Sequence, residues 1–254
     1  MSDSWSSLRL LLKERFPYPI AWAFEQYDGS RDDSLKLGHI LYTAESLLQF
    51  VGSVVLLDGY EDLRQAIGPL TKETPRELSK EIKELFDVLR TADLQAPGIG
   101  LWQYALVRVL PKLRSCSLPE LSQLLQNKLE WEAFCQNLDN LKNERNGLGH
   151  PWRRISDVTV HALLPQIEGM YFRLAASLKF LVNYCLAVVI EVLEHGEDVF
   201  QASLKLLAGE RQDSDEVSVK IEQSLQPADL VLLRLAGTGA PLGRALILNP
   251  LYRV

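Results

Sequence analysis

Hydrophobic residues recur at steps of three and four positions over most of the chain, which is the spacing of amphipathic helices. Residues 4–16 follow this spacing until Pro17 and Pro19, which predict a non-helical connector. The spacing resumes over 32–57 and predicts a long core helix. We therefore expect residues 1–31 to form an N-terminal helix and connector ahead of a helical body.

Start signals in the sequence mark the next helices of that body. At 74–77 a threonine can cap, a proline suits the first helical position, and a glutamate can return a hydrogen bond to the cap. The helix that begins there is predicted to reach about residue 94. Further helices are predicted over 101–110, 117–143, where a bend is allowed, and 156–194.

The pattern changes after this helical body. Residues 216–222 alternate between apolar and polar positions, 229–235 are rich in leucine, and 244–248 resemble a further strand. The sequence thus predicts a mainly α protein in two parts. These are a helical bundle over 32–195 and a small antiparallel β-rich region of three or four strands over 196–254.

Composition and charge narrow the range of functions. Of the 254 residues, 47% are hydrophobic and 24% are charged, which is the composition of an ordinary globular protein. The formal net charge of -6 argues against a protein that coats nucleic acid without specificity, because such binding needs many cationic contacts to phosphates. A local basic patch remains compatible with this charge.

Several features predict a cytoplasmic protein. The N-terminus lacks the basic start and cleavage site of a secretory signal, and the three cysteines show no CxxC spacing. The most apolar window, 172–192, contains Arg173, Lys179 and Glu191, which are costly inside a bilayer. We therefore expect this window to be a buried helix, and we expect no membrane partner.

The segment 144–150 brings together residues that can carry chemistry. Arg145 and Asn146 stand at the expected end of one long helix, and His150 follows after a glycine-rich stretch. The histidines elsewhere lack the paired spacing of a zinc site, so neither a metal nor another cofactor is expected. Nucleotide-binding and serine-hydrolase motifs are also missing from the sequence.

This segment resembles the motif of the HEPN family, in which an arginine is followed after four to six residues by a histidine, often with asparagine directly after the arginine. The resemblance implies a helical bundle, and many members are metal-independent ribonucleases of bacterial toxin, antiviral or CRISPR-linked systems. It also implies a homodimer in which two motifs face each other.

The resemblance assigns roles to Arg145, Asn146 and His150. His150 would take the proton from an RNA 2′-hydroxyl, and Arg145 would stabilise the charge on the attacked phosphate. Asn146 would orient the histidine or the phosphate. Basic residues that could bind RNA near the motif are Lys142, Arg153 and Arg154. The expected products are a 2′,3′-cyclic phosphate and a 5′-hydroxyl.

Three alternatives stay open on the sequence alone. Arg145 and His150 suit helix capping, because basic residues interact well with free carbonyls at a helix C-terminus. Arg154 and His161 also match the spacing, although Ile155 follows that arginine. Finally, the chain can be a non-catalytic HEPN-like module for dimerisation and protein interaction, in which the C-terminal region binds a regulatory or defence-complex partner.

Overall fold

The computed structural model describes residues 2–67, 79–92, 98–148, 156–194, 200–207, 216–221, 225–235 and 241–248. Its α-helices are α1 (Ser2–Glu14), α2 (Tyr18–Gly29), α3 (Asp33–Ile67), α4 (Lys80–Thr91), α5 (Ile99–Tyr104), α6 (Pro119–Gln126), α7 (Lys128–Leu148) and α8 (Asp157–Ser177). The strands are β1 (Tyr184–Glu194), β2 (Phe200–Leu207), β3 (Glu216–Ile221), β4 (Leu230–Leu235) and β5 (Pro241–Ile247). The mainly helical class with a small antiparallel sheet at the C-terminal end is confirmed.

The chain divides into two compact units. The first unit comprises Met1–Ser46 together with Leu148–Val254, and the second comprises Leu47–Gly147. Helix α3 supplies residues to both. The boundaries predicted at residues 31 and 195 stay predictions.

In the first unit, aromatic side chains join α1, α2 and α8. Phe24 of α2 is fully buried and stacks on Tyr171 of α8 with ring centroids 6.1 Å apart. The Trp5 ring of α1 lies 5.3 Å from the ring of Phe172. At the edge of this cluster, the Tyr27 hydroxyl donates to Glu168 Oε1 at 2.5 Å. These contacts give the unit its helical core.

The connector predicted after Pro17 is wrong, because Tyr18–Gly29 form the helix α2. Pro19 falls in the first turn of this helix, where a missing N–H costs nothing since that N–H would have no intrahelical acceptor. The helix then buries an apolar face that includes Ile20, Phe24 and Tyr27. The two prolines therefore end one helix and begin the next.

In the second unit, α3 packs closely on its neighbours. A Cβ placed on Gly52 would lie 3.0 Å from Trp102 Cε3, and one on Gly59 would lie 3.1 Å from Val109 Cγ1. Residues 105–109 form a π-helical turn and 110–112 a 3-10 turn. Pro111 accounts for this irregularity, since its ring clashes with the carbonyl four residues earlier in a regular helix.

Two buried aspartates of α3 hold the connector between α5 and α6. The Asp58 carboxylate accepts from the backbone N–H of Ser117 at 2.7 Å and from its hydroxyl at 2.6 Å. One turn later, the Asp62 carboxylate accepts from the backbone N–H of Arg114 at 2.7 Å. Both aspartates are almost fully buried. Side chains of α3 therefore replace the hydrogen bonds that this connector would otherwise make with water.

The strands form one antiparallel sheet in the order β3-β2-β1-β4-β5. Its interior is lined by a hydrophobic cluster: Cys185, Ala187, Val189, Ala202, Leu204, Leu225, Val231 and Leu233. The edge strands β3 and β5 lie close to each other, so the sheet is strongly curled. The strands expected at 216–222, 229–235 and 244–248 are confirmed in place as β3, β4 and β5.

The helix predicted to continue to residue 194 is wrong in its second half. Helix α8 ends at Ser177, residues 179–183 form a 3-10 turn, and β1 follows. Val188, Val189 and Ile190 are β-branched and favour the extended backbone, which explains the strand. The sheet therefore has five strands within the described residues, two of them ahead of the predicted ones.

One helix in the described part of the chain, α3, is long and apolar enough to cross a membrane by length and composition. In the structure, 72% of its apolar window is buried. Such burial is typical of the core helix of a soluble protein. The expected cytoplasmic location stays a prediction.

Candidate functional site

The first half of the predicted motif lies in the last turn of α7. Phe134, Leu138 and Leu141 form the buried stripe of this helix at steps of four and three. Arg145 lies one further step of four along the same face, and it is half-buried for that reason. Asn146 points about 100° away around the helix and is exposed.

Helix α7 continues past the end predicted at residue 143 and includes Asn146 and Gly147. A Cβ on Gly147 would meet no atom within 4 Å, so this glycine neither makes a tight turn nor provides close packing. Arg145 thus stands where a cation is favoured, next to the free carbonyls of a helix C-terminus. This position is compatible with the alternative in which Arg145 caps the C-terminus of α7.

The second half of the motif falls outside the described residues. His150, Arg153 and Arg154 belong to the segment 149–155, between Leu148 at the end of α7 and Ser156 at the start of α8. Helix α8 begins where it was predicted to begin, and Ser156 caps it, since the Ser156 hydroxyl accepts from the backbone N–H of Thr159 at 3.3 Å. The roles predicted for these three residues stay predictions.

Lys142, the predicted RNA-binding residue of α7, is engaged by a side chain of α5. Its ammonium group donates to Gln103 Oε1 at 2.7 Å, and Gln103 Nε2 donates in turn to the carboxylate of Asp139. Lys142 precedes Arg145 by one helical turn and follows Asp139 by one. The glutamine therefore joins Lys142 and Asp139 in one hydrogen-bonded network.

Sequence reasoning missed the roles of Gln103 and Asp139. Their contact joins residues 36 positions apart, and a glutamine on a short helix gives no local signal of its partner. A helix-by-helix pattern can show only that Asp139 and Lys142 share one side of α7.

The alternative match to the motif is Arg154 with His161, and of these two residues the structure describes His161. His161 lies in α8 and its Nδ1 is 2.9 Å from Asp33 Oδ2 of α3. The imidazole is 68% exposed. This contact joins the N-terminal parts of two helices of the first unit at the surface.

The described thiols are poorly suited to nucleophilic chemistry. Burial raises the pKa of Cys116 to about 12 and that of Cys135 to about 11. Burial also raises the pKa of Cys185 to about 12. Such thiols stay protonated near neutral pH, and the thiolate is the reactive form. Among the described residues, no group of three or more metal-ligating side chains is close enough to bind an ion.

Comparisons with known proteins add no evidence about function, so a functional proposal for this chain rests on the Arg145–His150 motif. No protein-family model matches the chain, no curated protein matches it, and no solved structure matches it.

Proposed function

We propose that the chain is a HEPN-like, metal-independent endoribonuclease. The observation that carries the proposal is the placement of Arg145 and Asn146 in the last turn of a 21-residue helix, directly ahead of the segment that joins it to a second helix of 21 residues. Because Asn146 is exposed and Arg145 is half-buried at this helix end, both side chains are reachable from solvent.

The reaction is an attack within the RNA strand. His150 removes the proton of a 2′-hydroxyl, and the freed oxygen forms a bond to the adjacent phosphorus. The bond from phosphorus to the 5′-oxygen breaks, and that oxygen takes up a proton. The products are a 2′,3′-cyclic phosphate and a 5′-hydroxyl end. DNA is inert because it lacks the attacking hydroxyl.

Arg145 is suited to stabilising the charge that develops on the phosphate. A guanidinium is planar and permanently charged, and it can donate two hydrogen bonds to neighbouring non-bridging oxygens. A position at the end of the buried stripe of α7 restricts the side chain and lowers the entropy lost on binding. Asn146 orients His150 or the phosphate.

The resemblance to the HEPN family also suggests a substrate, an oligomeric state and a biological system, which we include in the proposal. The substrate is RNA, bound with help from Lys142, Arg153 and Arg154, and the active species is a homodimer with a composite site. A bacterial toxin or antiviral defence system is the proposed setting. The C-terminal region would bind a regulatory protein or a defence-complex partner.

Exposed apolar side chains favour a second candidate, the non-catalytic module for dimerisation and protein interaction. Trp22 is 42% exposed, Leu35 58% and Tyr42 51%, all on α2 and α3. Aromatic and leucine side chains of this size on a surface often mark a protein interface. A catalytic assay separates this candidate from the ribonuclease.

The test is cleavage of end-labelled mixed RNA by the purified protein in EDTA. Wild type is compared with Arg145→Ala and His150→Ala, and with two matched controls, Arg90→Ala and His161→Ala. Arg90 is an exposed arginine of α4, and His161 belongs to the alternative match. We expect cyclic-phosphate ends from wild type and both controls, and a loss of at least about 100-fold in the two motif variants.

Two results would contradict the proposal. Cleavage that persists in Arg145→Ala and His150→Ala would assign the activity elsewhere. An inert wild type, with cellular RNA and candidate partners also supplied, would favour the interaction module. Circular dichroism of every variant separates a lost function from a lost fold.

A further inference from the structure

Helix α7 contains four asparagines in different settings. Asn137 is buried, and the side chain of Asn140 accepts a hydrogen bond from Gln136 Nε2 at 3.0 Å. Asn143 and Asn146 are both exposed. Of the four, Asn146 alone is followed by a glycine, and this is the one Asn-Gly pair in the whole sequence. The four residues therefore differ in exposure and in the residue that follows, and both properties control how an asparagine reacts with its own backbone.

The glycine after Asn146 has no packing role that would explain its presence. Gly147 is exposed, and an added Cβ would meet no atom of the described residues within 4 Å. Glycine is the poorest helix former apart from proline. The last turn of α7 therefore opens at lower cost than it would with alanine in this position.

Opening of this last turn frees the backbone nitrogen of Gly147. In an α-helix such an N–H bonds to the carbonyl four residues earlier, and this bond holds the nitrogen in place. Helix ends fray, and their local opening costs little free energy. Because Asn146 is two residues from Leu148, the last residue of α7, only a few helical hydrogen bonds have to break. Asn143 lies almost one turn deeper in the helix and is better protected.

The freed nitrogen of Gly147 is placed to attack the side-chain amide of Asn146. The nitrogen gives up its proton and forms a bond to Cγ, while the bond from Cγ to the amide nitrogen breaks and that nitrogen leaves as ammonia. The product is a five-membered succinimide ring. Water then opens the ring at either carbonyl and leaves an aspartate or an isoaspartate. Glycine favours this reaction, because a Cβ on the following residue would crowd the attacking nitrogen and restrict the backbone.

We infer that Asn146 is a site of spontaneous deamidation and that this modification irreversibly inactivates the proposed site. The reaction converts a neutral amide to a carboxylate directly beside Arg145, where the phosphate of RNA would bind, and like charges repel. An isoaspartate also adds a carbon to the main chain and displaces the residues around it. The inactivation rests on the proposed ribonuclease function, whereas the modification itself does not.

The experiment follows the full chain during incubation at physiological temperature and mildly alkaline pH in water labelled with heavy oxygen. Digestion and peptide mass spectrometry measure the label that enters at each asparagine of α7. We expect deamidation at Asn146 to be at least about tenfold faster than at Asn143, which is equally exposed but precedes a glutamate. Asn137 and Asn140 should react more slowly still.

Gly147→Ala is the matched variant, since the space around Gly147 is open and alanine favours the helix. It should slow deamidation at Asn146 at least about tenfold. In the RNA cleavage assay, aged wild type should lose activity in proportion to the modified fraction. Aged Gly147→Ala should keep the activity of its own fresh preparation. Asn146→Asp, which reproduces one product, should cleave at least about tenfold more slowly than fresh wild type.

Each outcome decides the inference. Deamidation at Asn146 that is no faster than at Asn143, or that is equally fast in Gly147→Ala, overturns the modification site. Modified protein that cleaves RNA as well as fresh protein overturns the inactivation. Fast deamidation in a chain that never cleaves RNA supports the modification and counts against the ribonuclease. Cleavage by a chain that is stable at Asn146 does the reverse.

Discussion

The two units use aspartates in contrasting ways. In the first unit, Asp28 accepts from Arg9 at 3.0 Å and from Lys13 at 2.7 Å, and all three side chains are partly exposed. In the second unit, Asp58 is almost fully buried and accepts from the backbone and side chain of Ser117. Water can replace the partners of Asp28, but it cannot readily reach those of Asp58. The setting of an aspartate, not its number of partners, therefore decides its importance for stability.

The largest predicted effect comes from removing the buried carboxylate. Asp58→Ala leaves the N–H and hydroxyl of Ser117 without their acceptor, so the free energy of unfolding should fall by about 3 kcal/mol. Asp28→Ala should lower it by less than about 1 kcal/mol, since Arg9 and Lys13 stay hydrated. Urea unfolding followed by circular dichroism measures both. Equal losses would remove the contrast between the two units.

A second pair of variants sharpens the comparison within one helix. Gly52 belongs to the second unit and Gly38 to the first, and both lie in α3. Gly52→Ala should cost about 2 kcal/mol, because the new methyl group presses on the buried Trp102 ring. Gly38→Ala should stabilise the chain by about 0.5–1 kcal/mol, since alanine favours the helix and the space is open.

Thermal or urea unfolding of both glycine variants checks this prediction at a concentration low enough to keep the chain monomeric. A stabilising Gly52→Ala would show that Trp102 moves without cost. A destabilising Gly38→Ala would show that the open face of α3 is covered in solution.

The smallest predicted effect is a pH dependence of unusual sign. Burial outweighs the hydrogen bonds from Ser117 and raises the pKa of Asp58 above its ordinary value of 3.8. A carboxyl whose pKa is raised on folding binds its proton more tightly in the folded state. Its stabilising contribution to the free energy of unfolding is fully present below the pKa of the unfolded state. That contribution is lost as the pH rises through the pKa of the folded state. Relative to Asp58→Asn, wild type should therefore gain stability as the pH falls from about 7 to about 4.

Glu84 supplies a control of opposite sign. The hydrogen bond from Lys112 lowers the pKa of this exposed carboxyl, so its contribution is present above the unfolded pKa and is lost as the pH falls through the folded pKa. Relative to Glu84→Gln, wild type should lose stability on acidification. Parallel pH curves for the two comparisons would contradict the assignment of Asp58 as a desolvated group.

The sequence predicted the fold class because most helices bury one regular apolar face. It placed β3, β4 and β5 correctly from alternation and leucine content, and it placed the start of α8 at residues 156–157. It failed at 184–194, where a continuous apolar run fits a buried helix or a buried strand equally well. It also failed at α2, because Pro19 is compatible with either a connector or a first helical turn.

The candidate site was predictable only as a local pattern. The position of Arg145 at a helix end follows from spacing along α7. The contact of Lys142 with Gln103 joins residues 39 positions apart, and the support of Asp58 for Ser117 joins residues 59 apart. Such contacts depend on how helices pack in three dimensions, and a single sequence contains no local signal for them.

The first unit is assembled from both ends of the chain, and this has a consequence for biosynthesis. The Tyr27 hydroxyl of α2 donates to Glu168 of α8, 141 positions further along the chain, and Phe24 of α2 stacks on Tyr171 of α8. While the ribosome synthesises residues 47–147, α1 and α2 have no α8 to cover their apolar faces. The contiguous second unit can fold during this interval, whereas the N-terminal helices must wait and are exposed to aggregation or chaperone binding. Translation speed between α2 and α8 should therefore influence the yield of native protein.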